Sequence, residues 1–206
     1  GMIDPHVHFR LIGLDYVYYT PFMPPEVKDV ASLQRALKEV VHAKKPGEWI
    51  IAYYLVLTDQ MIPNKSVLDE VSPDNPVFLM HIGGHWGTAN SAAMKIAGVT
   101  ASTSSPVGGV VEKDASGQPT GVFYNHRAMD VLRKDAPPVT QDLVIQSILN
   151  TQQLMAACGI TSYHDNNLRG LDHIQAYQQL AKEGKITLRH TLYLTLEWPQ
   201  DMDKVA

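Results

Sequence analysis

The chain has 206 residues, 45% hydrophobic and 18% charged, with 17 Lys and Arg against 21 Asp and Glu for a net charge of −4. That length suits one large domain or two small ones, and the composition is that of a globular protein rather than a disordered or fibrous one. Slight acidity without any Lys/Arg cluster excludes a nucleic-acid surface, no apolar run is long enough to span a bilayer, and a single cysteine, Cys158, excludes an internal disulfide framework.

The first predicted element is a strand over Ile3 to Phe9. In a strand, residues i and i+2 share a face, so His6 and His8 can converge on one metal ion. Neutral imidazole suits zinc, iron, nickel or copper. Asp4, expected on the same face, can orient a ligand. A Pro-rich linker, Thr20-Pro21-Phe22-Met23-Pro24-Pro25, follows. Leu33, Ala36, Leu37, Val40 and Val41 recur at helical spacing, with Ser32 as N-cap and Pro46-Gly47 as the stop. Trp49 to Leu57 reads as a strand, Ser66 to Val71 as a helical turn, and Val77 to Ile82 as a short buried strand broken by Gly83-Gly84-His85. Asn90 to Ala97 is helical, with Gly98 just past its end. Val110 to Lys113 and Thr120 to Tyr124 flank a hairpin loop, Asp114-Ala-Ser-Gly117. His126 to Lys134 is helical and Pro137-Pro138 ends it.

The texture then changes. Thr140 to Ala157 is a long amphipathic helix closed by Gly159, Ile160 to Asp165 a strand, Asp172 to Lys182 a helix closed by Gly184, and Thr187 to Leu196 another strand. Helix and strand alternating through short loops is the pattern of a parallel sheet. The last residues, Asp201 to Ala206, read as the start of a helix.

Several segments together resemble one branch of the amidohydrolase superfamily, the group related to N-substituted formamide deformylases. Ile3-Asp-Pro-His-Val-His-Phe9 resembles its first barrel strand, and Pro73-Asp-Asn-Pro-Val-Phe-Leu79 its entry to an inner strand. His85-Trp-Gly-Thr-Ala-Asn-Ser-Ala-Ala-Met94 resembles its His-x4-Asn-Ser-x-Ala-Leu motif. Asp114-Ala-Ser-Gly-Gln-Pro-Thr-Gly-Val122 resembles its hairpin, and Gly159-Ile-Thr-Ser-Tyr-His-Asp165 its second barrel strand. Order and spacing agree over essentially the whole chain. The resemblance implies an α/β fold: a partial (β/α)8 metal-dependent hydrolase barrel carrying an inserted α+β domain. Residues 1–20 would be the first barrel strand with the metal-ligand motif, 21–138 the insertion, and 139–206 further βα units.

The resemblance also implies chemistry. A divalent metal, zinc by the donors, would activate water against a C–N bond of an amide, formamide or related small molecule. His6 and His8 are the implied metal ligands; further family ligands come from later strands than the three counted here. The site is therefore expected to be incomplete in this chain, and the chain alone inactive. His85, at a Gly-Gly break, and Asp165, at the end of the second barrel strand, are the implied substrate-binding residues. His164, next to Asp165, is expected to face helices. The family commonly has Asp-Gly-His where this chain has Gly83-Gly84-His85.

Other residues read as structural. Asn90 is a helix cap, His81 and His190 are structural, and Trp86 is core. His42, His126 and His173 lie on helix surfaces, and Cys158 is a buried thiol. An incomplete barrel leaves a sheet edge and an apolar face open, so self-association is expected, with Val7, Tyr163, Leu192 and Leu194 on the open surface. A cytoplasmic location is expected from the absence of a leader pattern. The alternative from another class is a non-catalytic binding or assembly module that retains the insertion domain.

Overall fold

The computed structural model describes residues 1–9, 12–14, 19, 22–57, 61–168 and 171–194. The helix start expected at Asp201, the end of the strand expected to reach Leu196, and Thr20-Pro21 of the linker lie outside the described residues. In chain order the elements are β1 (Met2–Val7), α1 (Val30–His42), β2 (Ile50–Leu55), α2 (Lys65–Asp69), β3 (Val77–His81), β4 (Trp86–Ala89) and α3 (Ser91–Ile96). They continue with β5 (Val110–Lys113), β6 (Pro119–Tyr124), α4 (Asn125–Arg133), α5 (Gln141–Ala157), β7 (Ile160–Leu168), α6 (Leu171–Lys182) and β8 (Arg189–Leu194). Among the described residues no helix is long and apolar enough to cross a membrane. The chain divides into two compact units, one formed by residues 1–18 with 139–206 and the other by 19–138.

The first unit is a three-stranded sheet in the order β1-β7-β8, with both pairings parallel. Helices α5 and α6 supply its core. Val144, Ile148 and Met155 of α5, and Ala176, Tyr177 and Leu180 of α6, pack with Val7, Phe9, Tyr163 and Leu168. Burying each large apolar side chain contributes about 1.5–3 kcal/mol. Thr140 caps α5 by accepting the Leu143 N–H, and Gly159 (φ 78°) turns the chain into β7.

Five expectations are corrected here. Val7 and Tyr163, expected on the open surface, are 7% and 1% exposed because their strand positions face the helices, and Leu192 packs partly on the same core. His173 faces inward on α6 and is buried. Cys158, expected buried, is exposed, because it falls on the C-cap of α5.

The second unit is a five-stranded mixed sheet in the order β2-β3-β4-β6-β5. β2 and β3 are parallel; the other pairs are antiparallel. Its core gathers Leu33 and Leu37 of α1, Ile50, Ala52 and Leu55 of β2, Leu68, Val77, Leu79 and Trp86. β4 is absent from the sequence reading, because Trp-Gly-Thr-Ala is buried at every position and shows no alternation. The N-cap of α1 is Asp29, not Ser32. Asp29 accepts the Ser32 N–H at 2.7 Å, and the Ser32 hydroxyl oxygen accepts the Asp29 N–H at 3.0 Å, a capping box three residues wide.

Candidate metal and substrate site

Among the described residues, α5 and α6 cover one face of the first unit's sheet and leave the other open. Register decides which residues lie on each. Val7 pairs with Asp165, and Asp165 with Leu192; Tyr163 pairs with His190. Paired residues share a face, so Val7, Tyr163, Asp165, His190 and Leu192 all lie on the helix side. Their strand neighbours take the other face.

His6 and His8 are both exposed, and their rings stand 5.3 Å apart, edge to face at 76°. Val7 between them is buried on the helix side, while both imidazoles are exposed; β1 ends at Val7, short of the expected Phe9, and Phe9 opens a helical turn. That spacing lets one nitrogen of each ring reach a shared cation. The pair sits at the C-terminal end of a parallel strand, where the loops leave room for a ligand. Asp4 does not join it. A register shift between Asp4 and Val7 breaks the alternation, and the Asp4 carboxylate accepts the backbone N–H of His6 at 3.1 Å.

The expected orientation of the His164-Asp165 pair is reversed. Asp165 is fully enclosed beside Tyr163 and Tyr177; its charge adds to the burial that raises both phenols above their ordinary range. His164 is half-buried on the open side, its ring 5.9 Å from that of Tyr193, which is 51% exposed. Asn166, two residues on, donates from its side-chain amide to the Pro5 carbonyl at 3.3 Å. The open face therefore carries His6, His8, His164 and Tyr193. The signal for His164 and Tyr193 was in the sequence: Tyr163 is the larger apolar residue of its strand, and whichever face it buries sends His164 to the other.

The donor set fits a borderline divalent cation in part. Two neutral imidazoles are suited to zinc. Among the described residues, no third His, Cys, Asp or Glu joins them in a metal-holding group.

His85 belongs to the second unit. It is exposed in the bend just before β4, and its backbone carbonyl accepts the Asn125 N–H at 2.8 Å. Nδ1 of His81 accepts the Gly83 N–H at 3.1 Å, and the His81 ring stacks on Trp86 at 4.8 Å and 19°. A Cβ at Gly83 would stand 3.1 Å from His81 Nδ1 and 3.3 Å from His85 Cδ2, so a glycine here lets the two imidazoles flank one turn. Trp86 is 2% exposed and belongs to the core.

Comparison with known proteins adds a frame to this geometry. Residues 1–205 match the amidohydrolase family. The chain is 31% identical over 201 residues to the amidohydrolase-family protein YtcJ of Bacillus subtilis, an alignment covering 92% of this chain and 36% of that protein. It is 36% identical over 134 residues to the N-substituted formamide deformylase of Arthrobacter pascens, covering 62% of this chain and 24% of that enzyme. Its fold is similar to an uncharacterized metal-dependent hydrolase of Pyrococcus horikoshii, with a TM-score of 0.62 at 18% identity over 98% of this chain and 37% of that one. The chain thus spans between about a quarter and two-fifths of the proteins it resembles.

Proposed function

Because the chain belongs to the amidohydrolase family, we propose that the open face of β1-β7-β8 is part of the active site of a hydrolase acting on a C–N bond of an amide, formamide or related small molecule. The observation that carries this reading is the pairing of His6 and His8, 5.3 Å apart, on the open face at the end of a parallel strand. In this reading the three strands with α5 and α6 are part of a (β/α)8 barrel, and residues 21–138 are an insertion after its first strand. The all-parallel order β1-β7-β8 supports it.

His6 and His8 would hold a divalent cation, zinc being the one their donors suit. Bound there, the ion would polarise the scissile carbonyl and activate water. His164 takes the substrate-facing place expected of Asp165, and Asp165 holds β7 from behind. His85 is proposed as a substrate contact on the strength of its motif. The second reading is a non-catalytic binding or assembly module that retains the insertion domain.

Two measurements test the proposal. Chelator-stripped chain, dialysed against zinc and analysed for metal, should bind weakly, and His6→Ala or His8→Ala should lower the affinity at least tenfold. Full-length gene product should release amine from a panel of amides and formamides, lose that activity to a chelator, and regain it with zinc. Zinc binding unchanged in both alanine variants would remove the site. Intact, His6/His8-dependent binding with no hydrolysis of any member would favour the binding module.

A further inference from the structure

β1 pairs with β7 as far as Val7, so His8 lies just past the regular ladder. Its backbone needs another anchor. The His8 carbonyl accepts the Ile12 N–H at 3.2 Å. The next residue, Phe9, is fully buried and lies flat on the Tyr163 ring, with centroids 4.1 Å apart and planes 5° from parallel. Tyr163 is fixed in turn. Its hydroxyl meets that of Tyr177 at 3.0 Å, and His190 leans on both rings at 5.9 and 5.1 Å.

Resting on the reading above, we infer that Tyr163 is a positioning residue for the metal-holding pair: stacked on Phe9 and pinned by Tyr177, it sets the rotation of the His8 backbone. The mechanism is geometric. Phe9 opens a helical turn whose first hydrogen bond is accepted by the His8 carbonyl, so His8 stands at the junction of strand and turn. Planar peptides leave each residue two soft torsions, so seating Phe9 against Tyr163 fixes the turn and with it the direction in which the His8 side chain leaves the junction. A close-packed interior gives a flat stack little slack, so the seat is narrow. The Tyr163 hydroxyl adds a constraint that a plain ring lacks. A buried phenol keeps a hydrogen-bond partner, and Tyr177 supplies it from α6, tying the height of the Tyr163 ring to a helix rather than to the sheet alone. Tyr163 touches no substrate and no cation. It acts through Phe9.

The test uses the full 206-residue chain and Cu²⁺ alone as probe, read by electron paramagnetic resonance and by titration. The signal lost in His6→Ala and His8→Ala defines the pair among the nine histidines. Tyr163→Leu should weaken Cu²⁺ binding at the pair about tenfold and reduce the two-nitrogen coupling pattern to one. Tyr163→Phe, which keeps the stack, should restore the affinity to within about threefold and return the two-nitrogen pattern. His190→Ala leaves the Phe9 stack and the Tyr163–Tyr177 bond in place; it should lower the melting temperature and leave the spectrum unchanged. If Tyr163→Leu does not fold, Phe9→Leu carries the same comparison.

A folded Tyr163→Leu chain with wild-type affinity and spectrum overturns the inference alone. So does an equal loss in His190→Ala, which would mean general loosening. A wild-type signal indifferent to both histidine substitutions overturns the metal reading and this inference with it.

Discussion

Replacing Asn90 with alanine should destabilise the second unit by far more than the loss of a helix cap. Asn90 is fully buried. Its Oδ1 accepts the Ala93 N–H at 2.9 Å, which caps α3, and also the Val77 N–H at 2.9 Å. Its Nδ2 donates to the carbonyls of Ser72 at 2.7 Å and Asn75 at 2.8 Å. The Asn75 carbonyl keeps a second bond from the Ser72 hydroxyl. The cap is worth about 1 kcal/mol. The Val77 N–H and the Ser72 carbonyl would be left in the interior at about 1–1.5 kcal/mol each. The expected cost of Asn90→Ala is thus about 3–4 kcal/mol, a shift of roughly 1.5–2 M in the urea midpoint at a typical slope of about 2 kcal/mol per molar. Unfolding is followed through the fluorescence of buried Trp86, with hydrogen exchange at the Val77 amide as a local check. Asn90→Ser, which can cap α3 but cannot span to the other strand and loop, should recover only about 1 kcal/mol. A shift under about 0.5 M for alanine, or full recovery by serine, would show that Asn90 is a cap and no more.

Two further outcomes follow from the packing. Burial raises the phenols of Tyr163 and Tyr177; a folded-state pKa above the unfolded one leaves stability whole below about pH 10 and erodes it as pH rises past that point. Urea midpoints of the first unit should fall through the alkaline range, and the Tyr163→Phe/Tyr177→Phe double variant should flatten that slope; a slope unchanged in the double variant would place the titration elsewhere. Gly121 has φ 93°, and a Cβ there would stand 2.5 Å from the Ala89 carbonyl oxygen, so Gly121→Ala should cost about 3 kcal/mol or more and show as loss of folded yield. Wild-type melting of that variant would refute the argument.

Which parts of this fold were legible depends on how local their cause is. Asn90 as a cap, Gly98 as a helix end and the hairpin around Asp114 are set within four residues, and each can be read from a short string. The Asp114 carboxylate accepts the N–H groups of Ser116 and Gln118, the mark of a turn built on its own side chain. The extra bonds of Asn90 to residues 72, 75 and 77 are long-range and leave no local mark. β4 failed for a different reason. A strand buried on both faces between β3 and β6 has no polar period to show. His173 was misplaced because a helical histidine reads as polar, while the inward stripe of α6 takes it in with Ala176, Tyr177 and Leu180. His6 and His8 were legible as a pair from their two-residue spacing, although the expected strand ends at Val7 and a helical turn begins at Phe9.

The assignment of His164 and Asp165 to opposite faces gives the sharpest remaining test of the site. Both are polar, adjacent and near the end of one strand, so sequence alone leaves their order open. Tyr163 settles it from the first unit's core: it and Asp165 share a face, and Asp165 pairs with Val7 and Leu192, both turned toward the helices. Asp165 is fully enclosed, so truncating it opens a cavity in a packed interior at about 1–3 kcal/mol. His164 is half-buried beside an exposed tyrosine, a setting in which truncation costs roughly 0.5 kcal/mol. Asp165→Ala should therefore lower the melting temperature sharply. His164→Ala should leave melting almost unchanged and, in full-length gene product, reduce hydrolysis at unchanged zinc content. The opposite pattern, a stable Asp165→Ala chain that has lost activity beside a His164→Ala chain that has kept it, would return Asp165 to the substrate face and refute the register argument.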